Sequence, residues 1–178
     1  MDFQHRDLIV AIRGHDVLVV DLQFAAIVRY RRTVETTPTS EGYYHLAHAY
    51  IAKDARDLAL EMLEQAVSLA PDNPILYRDL GLLAVDNGQD ELAEQFWMEA
   101  LMLRPDDGYL HDLLAALYQR RGDFKRAVEV FEQLVQLYPD RQDLLARLGG
   151  FCQQLLAEAR QLSVAPPSSR VPAGVISV

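Results

Sequence analysis

Hydrophobic side chains recur along most of this chain at steps of three and four residues. The spacing is clear in two neighbouring stretches, Tyr43-Leu46-Ala47-Tyr50 and Ala59-Leu63-Ala66-Leu69. It places apolar groups on one face of an α-helix, whereas a half-buried strand alternates at every second residue. Asn87-Gly88 and Arg121-Gly122-Asp123 interrupt the pattern, as turns between helices do. The chain is therefore predicted to fold as pairs of short helices joined by tight turns.

The helix pairs recur with a period of 34 residues, which is the spacing between Pro71, Pro105 and Pro139. Other positions keep this register in columns of one residue type: the leucines Leu46, Leu80 and Leu114; the small residues Ala47, Gly81 and Ala115; the alanines Ala59, Ala93 and Ala127; and the large groups Leu63, Trp97 and Phe131. Small residues let the two helices of a pair approach closely, and the large groups fill the space between units. Trp97 is thus predicted to be a core residue rather than a ligand platform.

This pattern resembles the tetratricopeptide repeat (TPR) family over residues 40–141, with departures at Asp54, where a turn glycine is usual, and His111, where an aromatic residue is usual. The resemblance implies an all-α fold, a superhelical stack of helix-turn-helix repeats. Three clear units span residues 40–73, 74–107 and 108–141, followed by a capping helix at 142–162. The exposed side of that helix is predicted to be polar, and its Cys152 to be a buried structural thiol.

The two ends of the chain are less regular. Residues 7–39 are predicted to form a degenerate N-terminal unit with a first helix from Asp7 to Val20 and a second over Phe24–Arg32. Because β-branched residues crowd the first of these segments, a short strand or loose arm is the alternative. The repeat domain then covers residues 1–162. Residues 163–178, which contain proline and serine without helical period, are predicted to be a disordered tail.

Composition narrows the classes of function. The chain of 178 residues has 26 acidic and 17 basic residues, giving a net charge of −9. This balance argues against binding nucleic acid through its phosphates, which needs a basic face. The single cysteine excludes a disulfide framework. Without a signal-like start or a membrane-length apolar run, we expect a cytoplasmic protein with no membrane insertion.

No motif for catalysis or cofactor binding is present: there is no glycine-rich phosphate loop and no Gly-x-Ser-x-Gly turn. Glu41, His45 and His48 share one helical face with the spacing of zinc ligands. The same spacing arises by chance on an exposed helix face, so we interpret them as ordinary groove-lining side chains. The sequence predicts a noncatalytic protein without metal or cofactor.

The resemblance further implies a concave groove lined by the first helix of each unit, which holds a peptide or a helix. The inward positions are Glu41, Tyr44, His45, His48 and Ile51 in the first clear unit, Ile75, Arg78, Asp79, Leu82 and Asp86 in the second, and Tyr109, Asp112, Leu113, Ala116, Gln119 and Arg120 in the third. A lining of aromatic, aliphatic and acidic groups suits an amphipathic helix or an extended peptide with basic side chains. Asp79, Asp86 and Asp112 are expected to select the basic groups.

Some members of the family grip a C-terminal carboxylate with lysine, asparagine and arginine on successive first helices. The matching positions here are Tyr44, His48, Asp79, Tyr109 and Leu113, none of which is a lysine or arginine. The sequence thus argues against this form of recognition.

We therefore expect a noncatalytic adaptor that binds another protein. The alternative is a dedicated chaperone that shields a hydrophobic client segment, for example in a secretion or assembly system. The apolar tail segment Val171–Val178 is a further candidate ligand for the groove, in the same molecule or in a neighbour, which would give weak self-association.

Overall fold

The computed structural model describes the backbone of residues 8–13 and 16–164 and the side chains of residues 21–160. Two strands are followed by eight helices: β1 (Leu8–Arg13), β2 (Asp16–Asp21), α1 (Leu22–Thr36), α2 (Ser40–Ala52), α3 (Arg56–Leu69), α4 (Pro74–Asp86), α5 (Asp90–Leu103), α6 (Gly108–Arg121), α7 (Phe124–Leu137) and α8 (Gln142–Val164). The all-α repeat stack predicted from residue 40 onward is confirmed. None of the helices in this part of the chain is both long and apolar enough to cross a membrane.

The chain forms two compact units that divide within α6, between Leu117 and Tyr118. In the first unit, α2 pairs with α3 and α4 pairs with α5. The small and large positions of the repeat explain this pairing. Ala59, Leu63 and Trp97 are all buried, and Trp97 is only 2% exposed, which confirms it as a core residue.

Gly81 shows why one unit has glycine where the others have alanine. A Cβ atom at Gly81 would lie 2.2 Å from Nε1 of Trp97. With no side chain at that position, the indole reaches α4 and its Nε1 donates to the carbonyl of Arg78 at 3.0 Å. The largest side chain of the repeat column thus requires the smallest residue on the facing helix.

The turns between paired helices share one backbone geometry. Gly88 and Gly122 have φ angles of 72° and 73°, in the left-handed region that favours glycine. Asp54 takes the same place in the first unit with a φ of 56°, and its carboxylate lies 2.9 Å from Arg56. Aspartate tolerates this conformation better than most residues, so the helix pair forms despite the departure.

The prediction for the N-terminal segment is wrong in its first half. The predicted helix from Asp7 to Val20 is replaced by β1 and β2, an antiparallel pair in which Leu8 lies opposite Asp21. The β-branched residues of this segment favour a pleated strand over a helix, which was the alternative. The second half is confirmed, since α1 covers Phe24–Arg32. Asp21 begins α1 by accepting hydrogen bonds from the backbone of Gln23 and Phe24.

The second unit pairs α7 with α8. The rings of Phe131 and Phe151 lie 5.3 Å apart, and Leu134 and Leu144 are buried beside them in the core of this unit. The capping helix is therefore confirmed, and it extends to Val164, two residues beyond its predicted end. Residues 165–178, the remainder of the predicted tail, lie outside the described residues.

The exposed side of α8 is less polar than predicted. Leu145 is 45% exposed and Leu156 is 57% exposed, and the partly exposed Cys152 lies between them on the same stripe as Gly149. Leu145, Gly149 and Cys152 occupy positions that face the second helix in a complete pair, whereas Leu156 takes the place of the turn glycines Gly88 and Gly122. Because no second helix follows α8 among the described residues, the stripe stays uncovered and Cys152 is not the buried thiol predicted.

Candidate functional site

A groove of about 470 Å³ opens along the first helices of the first unit. Its lining comes from α2, α4 and α6 in turn: Tyr44, His48 and Ile51; Arg78, Asp79, Leu82, Leu83 and Asp86; and Tyr109. Steps of three and four residues place each set on one helix face. The volume lies within the range of small-ligand pockets.

Asp79 lies on the floor of this groove, where three side chains surround its carboxylate. Its Oδ1 accepts a hydrogen bond from Nε of Arg78 at 2.8 Å. Its Oδ2 lies 3.2 Å from the hydroxyl of Tyr44 and 3.0 Å from Nε2 of His48, both on α2. Only 6% of Asp79 is exposed. The carboxylate therefore links α2 to α4 and has little free capacity for a ligand.

The surroundings keep Asp79 ionised. Burial by itself raises the pKa of a carboxyl, but the hydrogen bonds from His48 and Arg78 outweigh it and lower the pKa of Asp79 below its usual value. Burial and the neighbouring carboxylate raise the pKa of Tyr44, which favours the protonated phenol as hydrogen-bond donor. Arg78 offsets the charge of Asp79, so the floor carries paired charges rather than a net negative charge.

This arrangement corrects the role expected for Asp79. We predicted that its charge selects basic groups of a partner, but a buried carboxylate already paired with Arg78 cannot do so effectively. Asp79 instead fixes the positions of Tyr44, His48 and Arg78. The sequence offered one signal for this role, the adjacent arginine, but the burial depends on side chains of another helix.

The other predicted inward residues lie outside this groove. His45 stacks on Tyr30 of α1, with ring centroids 5.2 Å apart, and its Nε2 lies 3.6 Å from Glu41. A smaller cleft includes Glu41, Tyr44 and Ile75. The residues predicted on α6 after Tyr109 do not line the main groove: Asp112, Leu113, Ala116, Gln119 and Arg120. Leu83 is the lining residue that the sequence reading missed.

The zinc-like spacing of Glu41, His45 and His48 does not bring these three residues to one point. His48 approaches Asp79, whereas His45 approaches Glu41. Across the part of the chain that the structure describes, no group of three metal-ligating side chains has the geometry to hold an ion.

Two sequence models of the tetratricopeptide repeat match this chain, one over residues 50–117 and the other over residues 110–151. Together they cover all but the first part of the three predicted units. The family resemblance noted in the residue columns is thus found independently.

Individual proteins are similar over parts of the chain. The antiviral innate immune response effector IFIT1 of Macaca fascicularis is 37% identical over 87 residues, which is 49% of this chain and 18% of that protein. The mitochondrial import receptor subunit TOM70 of Homo sapiens is 23% identical over 149 residues, 81% of this chain and 24% of that protein. This chain therefore spans no more than about a quarter of the length of these relatives.

Solved structures show the same fold. The thermophilic TPR protein TTC0263 of Thermus thermophilus superposes with a TM-score of 0.57 at 26% identity, covering 74% of each chain. The first TPR domain of Spaghetti (RPAP3), whose structure contains an HSP90 peptide, superposes with a TM-score of 0.54 at 16% identity, covering 66% of this chain and 96% of that one. The second likeness concerns the fold alone.

Proposed function

Since this chain belongs to the tetratricopeptide repeat family, we propose that it is a noncatalytic adaptor that binds a segment of another protein in the groove of α2, α4 and α6. Its repeats support a general role in protein–protein interaction. We further propose that the groove is the binding face and that the protein acts in the cytoplasm.

The observation that carries the proposal is an open apolar groove whose buried charge is already paired. Tyr109 is 53% exposed and Ile51 is 36% exposed, so both offer apolar surface to a partner. Because Asp79 is satisfied within the protein, an apolar side chain can enter without leaving a buried carboxylate unpaired. A tyrosine at such a position supplies a rigid ring with a polar tip, the type of residue that dominates binding energy.

The test compares two exposed apolar residues on different faces. Ile51→Arg places a charge in the groove, and Leu58→Arg places the same charge on α3, where Leu58 is 45% exposed. Each variant, checked for helicity, is used beside the wild type to capture partners from the native host, with identification by mass spectrometry. We expect Leu58→Arg to retain the wild-type partner and Ile51→Arg to lose it.

The reverse pattern, with partner loss only in Leu58→Arg, would reject the groove as the binding site. The captured partner also separates an adaptor from a chaperone. An adaptor binds its partner in the folded state, whereas a dedicated chaperone binds only the unfolded client or an isolated hydrophobic segment. Binding of the purified partner before and after denaturation therefore decides between the two.

A further inference from the structure

The groove has two accessible charges on α4, Arg78 in the second turn of the helix and Asp86 at its C-terminal end. Arg78 and Asp86 both line it and lie eight residues apart, which is about 12 Å along a helix at about 1.5 Å per residue. Ile51, Leu82 and Leu83 supply the apolar lining of the same groove. Along α4 the groove therefore presents a positive charge at Arg78, then an apolar patch, then a negative charge at Asp86.

Arg78 is positioned to donate to a ligand. Its Nε donates a hydrogen bond to Asp79, which holds the guanidinium in place. The side chain remains 31% exposed. Neither terminal nitrogen has a hydrogen-bond partner among the described residues, so four N–H donors remain. A carboxylate can accept two of these donors together, a geometry that an arginine fork favours.

Asp86 supplies the opposite charge. Its side chain is exposed at the end of α4, and its carboxylate has no hydrogen-bond or ion-pair partner within the described part of the chain. It differs in this respect from Asp79, whose charge is offset by Arg78. A basic group of a ligand would therefore bind Asp86 and not Asp79.

We propose that the groove recognises an extended segment with an acidic, an apolar and a basic side chain at alternate positions. The acidic group binds Arg78, the apolar group contacts Ile51 and Leu82, and the basic group binds Asp86. Alternate residues of an extended strand point to one side and rise about 3.3 Å each, so positions i and i+4 lie about 13 Å apart, close to the separation on α4. This inference rests on the proposed function, because it assumes that the groove binds a protein segment.

The test uses four synthetic peptides, acetylated and amidated so that no terminal carboxylate is present. The mixed probe is Ser-Glu-Ser-Leu-Ser-Lys-Ser, and the others carry two glutamates, two lysines or two glutamines at the charged positions. Binding to the full chain is measured by amide chemical shifts in nuclear magnetic resonance titrations. We expect the mixed probe to bind more tightly than either like-charged probe, by on the order of fivefold for each mismatched charge.

A charge reversal at Asp86 tests whether this residue determines the preference among the probes. In Asp86→Lys, the preference should move to the two-glutamate probe, whereas Asp72→Lys, the same change at an exposed residue outside the groove, should leave the preference unchanged. Arg78 and Asp79 stay intact in both variants, so the floor of the groove is preserved.

The outcomes separate the two levels of the proposal. Tightest binding of the two-lysine probe to the wild type, or equal binding of all four probes with shifts at Leu82 and Tyr109, overturns the charge pattern and leaves the groove function standing. Absence of shifts at groove residues with every probe at millimolar concentration, together with partner capture by Ile51→Arg, overturns both.

Discussion

Gly81 and Gly149 occupy the same position of the repeat, 68 residues apart, yet their surroundings differ completely. A Cβ at Gly81 would collide with Trp97, whereas a Cβ at Gly149 would meet nothing within 4 Å among the described residues. The difference follows from the neighbouring helix, since α4 has α5 as its partner and α8 is the last helix described. A small residue in this register is required only where a second helix packs against it.

The largest expected effect comes from removing the residue that covers Gly81. Trp97→Ala should lower the free energy of unfolding by about 3–5 kcal/mol, because it leaves a cavity in the core and removes the hydrogen bond to Arg78. Urea unfolding followed by circular dichroism measures this change. Met98→Ala is the control, since Met98 is exposed on the same helix and should change stability by no more than about 0.5 kcal/mol. Equal losses in both variants would contradict the packing described for α4 and α5.

The two glycines themselves should respond with opposite signs. Gly81→Ala forces the indole of Trp97 to move and should cost about 1–3 kcal/mol. Gly149→Ala lies in a helix with open space around it, and should stabilise the protein by up to about 1 kcal/mol because alanine favours helix. Thermal and urea unfolding of the two variants measure the difference. Destabilisation by Gly149→Ala would show that the face of α8 is covered in solution.

Asp79 in the first unit and Asp143 in the second allow the same comparison for a charged side chain. Arg141 holds the pKa of the exposed Asp143 below its usual value, and the pKa of Asp79 is also lowered, although Asp79 is buried. A lowered pKa stabilises the folded state above the unfolded value of about 3.9, and this contribution is lost as pH falls through the folded pKa. Asp79→Asn should therefore cost about 1–2 kcal/mol at pH 7 and should flatten the loss of stability in acid.

Asp143→Asn is the control for that experiment, because solvent screens its ion pair and the effect should be smaller. Unfolding free energies of both variants and the wild type are compared between pH 7 and the acid limit of folding. An acid limb that is unchanged in Asp79→Asn would contradict the network at the floor of the groove.

Much of the fold followed from spacing alone. A column such as Leu46, Leu80 and Leu114 reports the period of the helices, and the paired helices from residue 40 onward agree with it. The N-terminal segment does not follow the repeat period, because local strand preference outweighs the weak repeat signal between Asp7 and Val20. The uncovered stripe of α8 was also missed, since a sequence pattern does not show whether a partner helix is present.

Part of the candidate site was also predictable from the repeat period. Tyr44 and Arg78 occupy equivalent positions on successive first helices, and the groove also includes Tyr109, whose equivalents in the earlier units are Glu41 and Ile75. The role of Asp79 was not predictable, because it requires Tyr44 and His48 of another helix to meet one carboxylate. Such a meeting depends on side-chain conformations, which the repeat period does not specify.

The most direct test of the groove is the affinity of the captured partner for Tyr109→Ala. Tyr109 is 53% exposed, so its removal should leave the helical spectrum intact. We predict that binding, measured by calorimetry, weakens by at least about 1–2 kcal/mol, while Tyr138→Ala, an exposed tyrosine at the end of α7, binds as the wild type does. Normal binding by Tyr109→Ala, with binding abolished by Leu58→Arg, would contradict the account and assign the partner to another face.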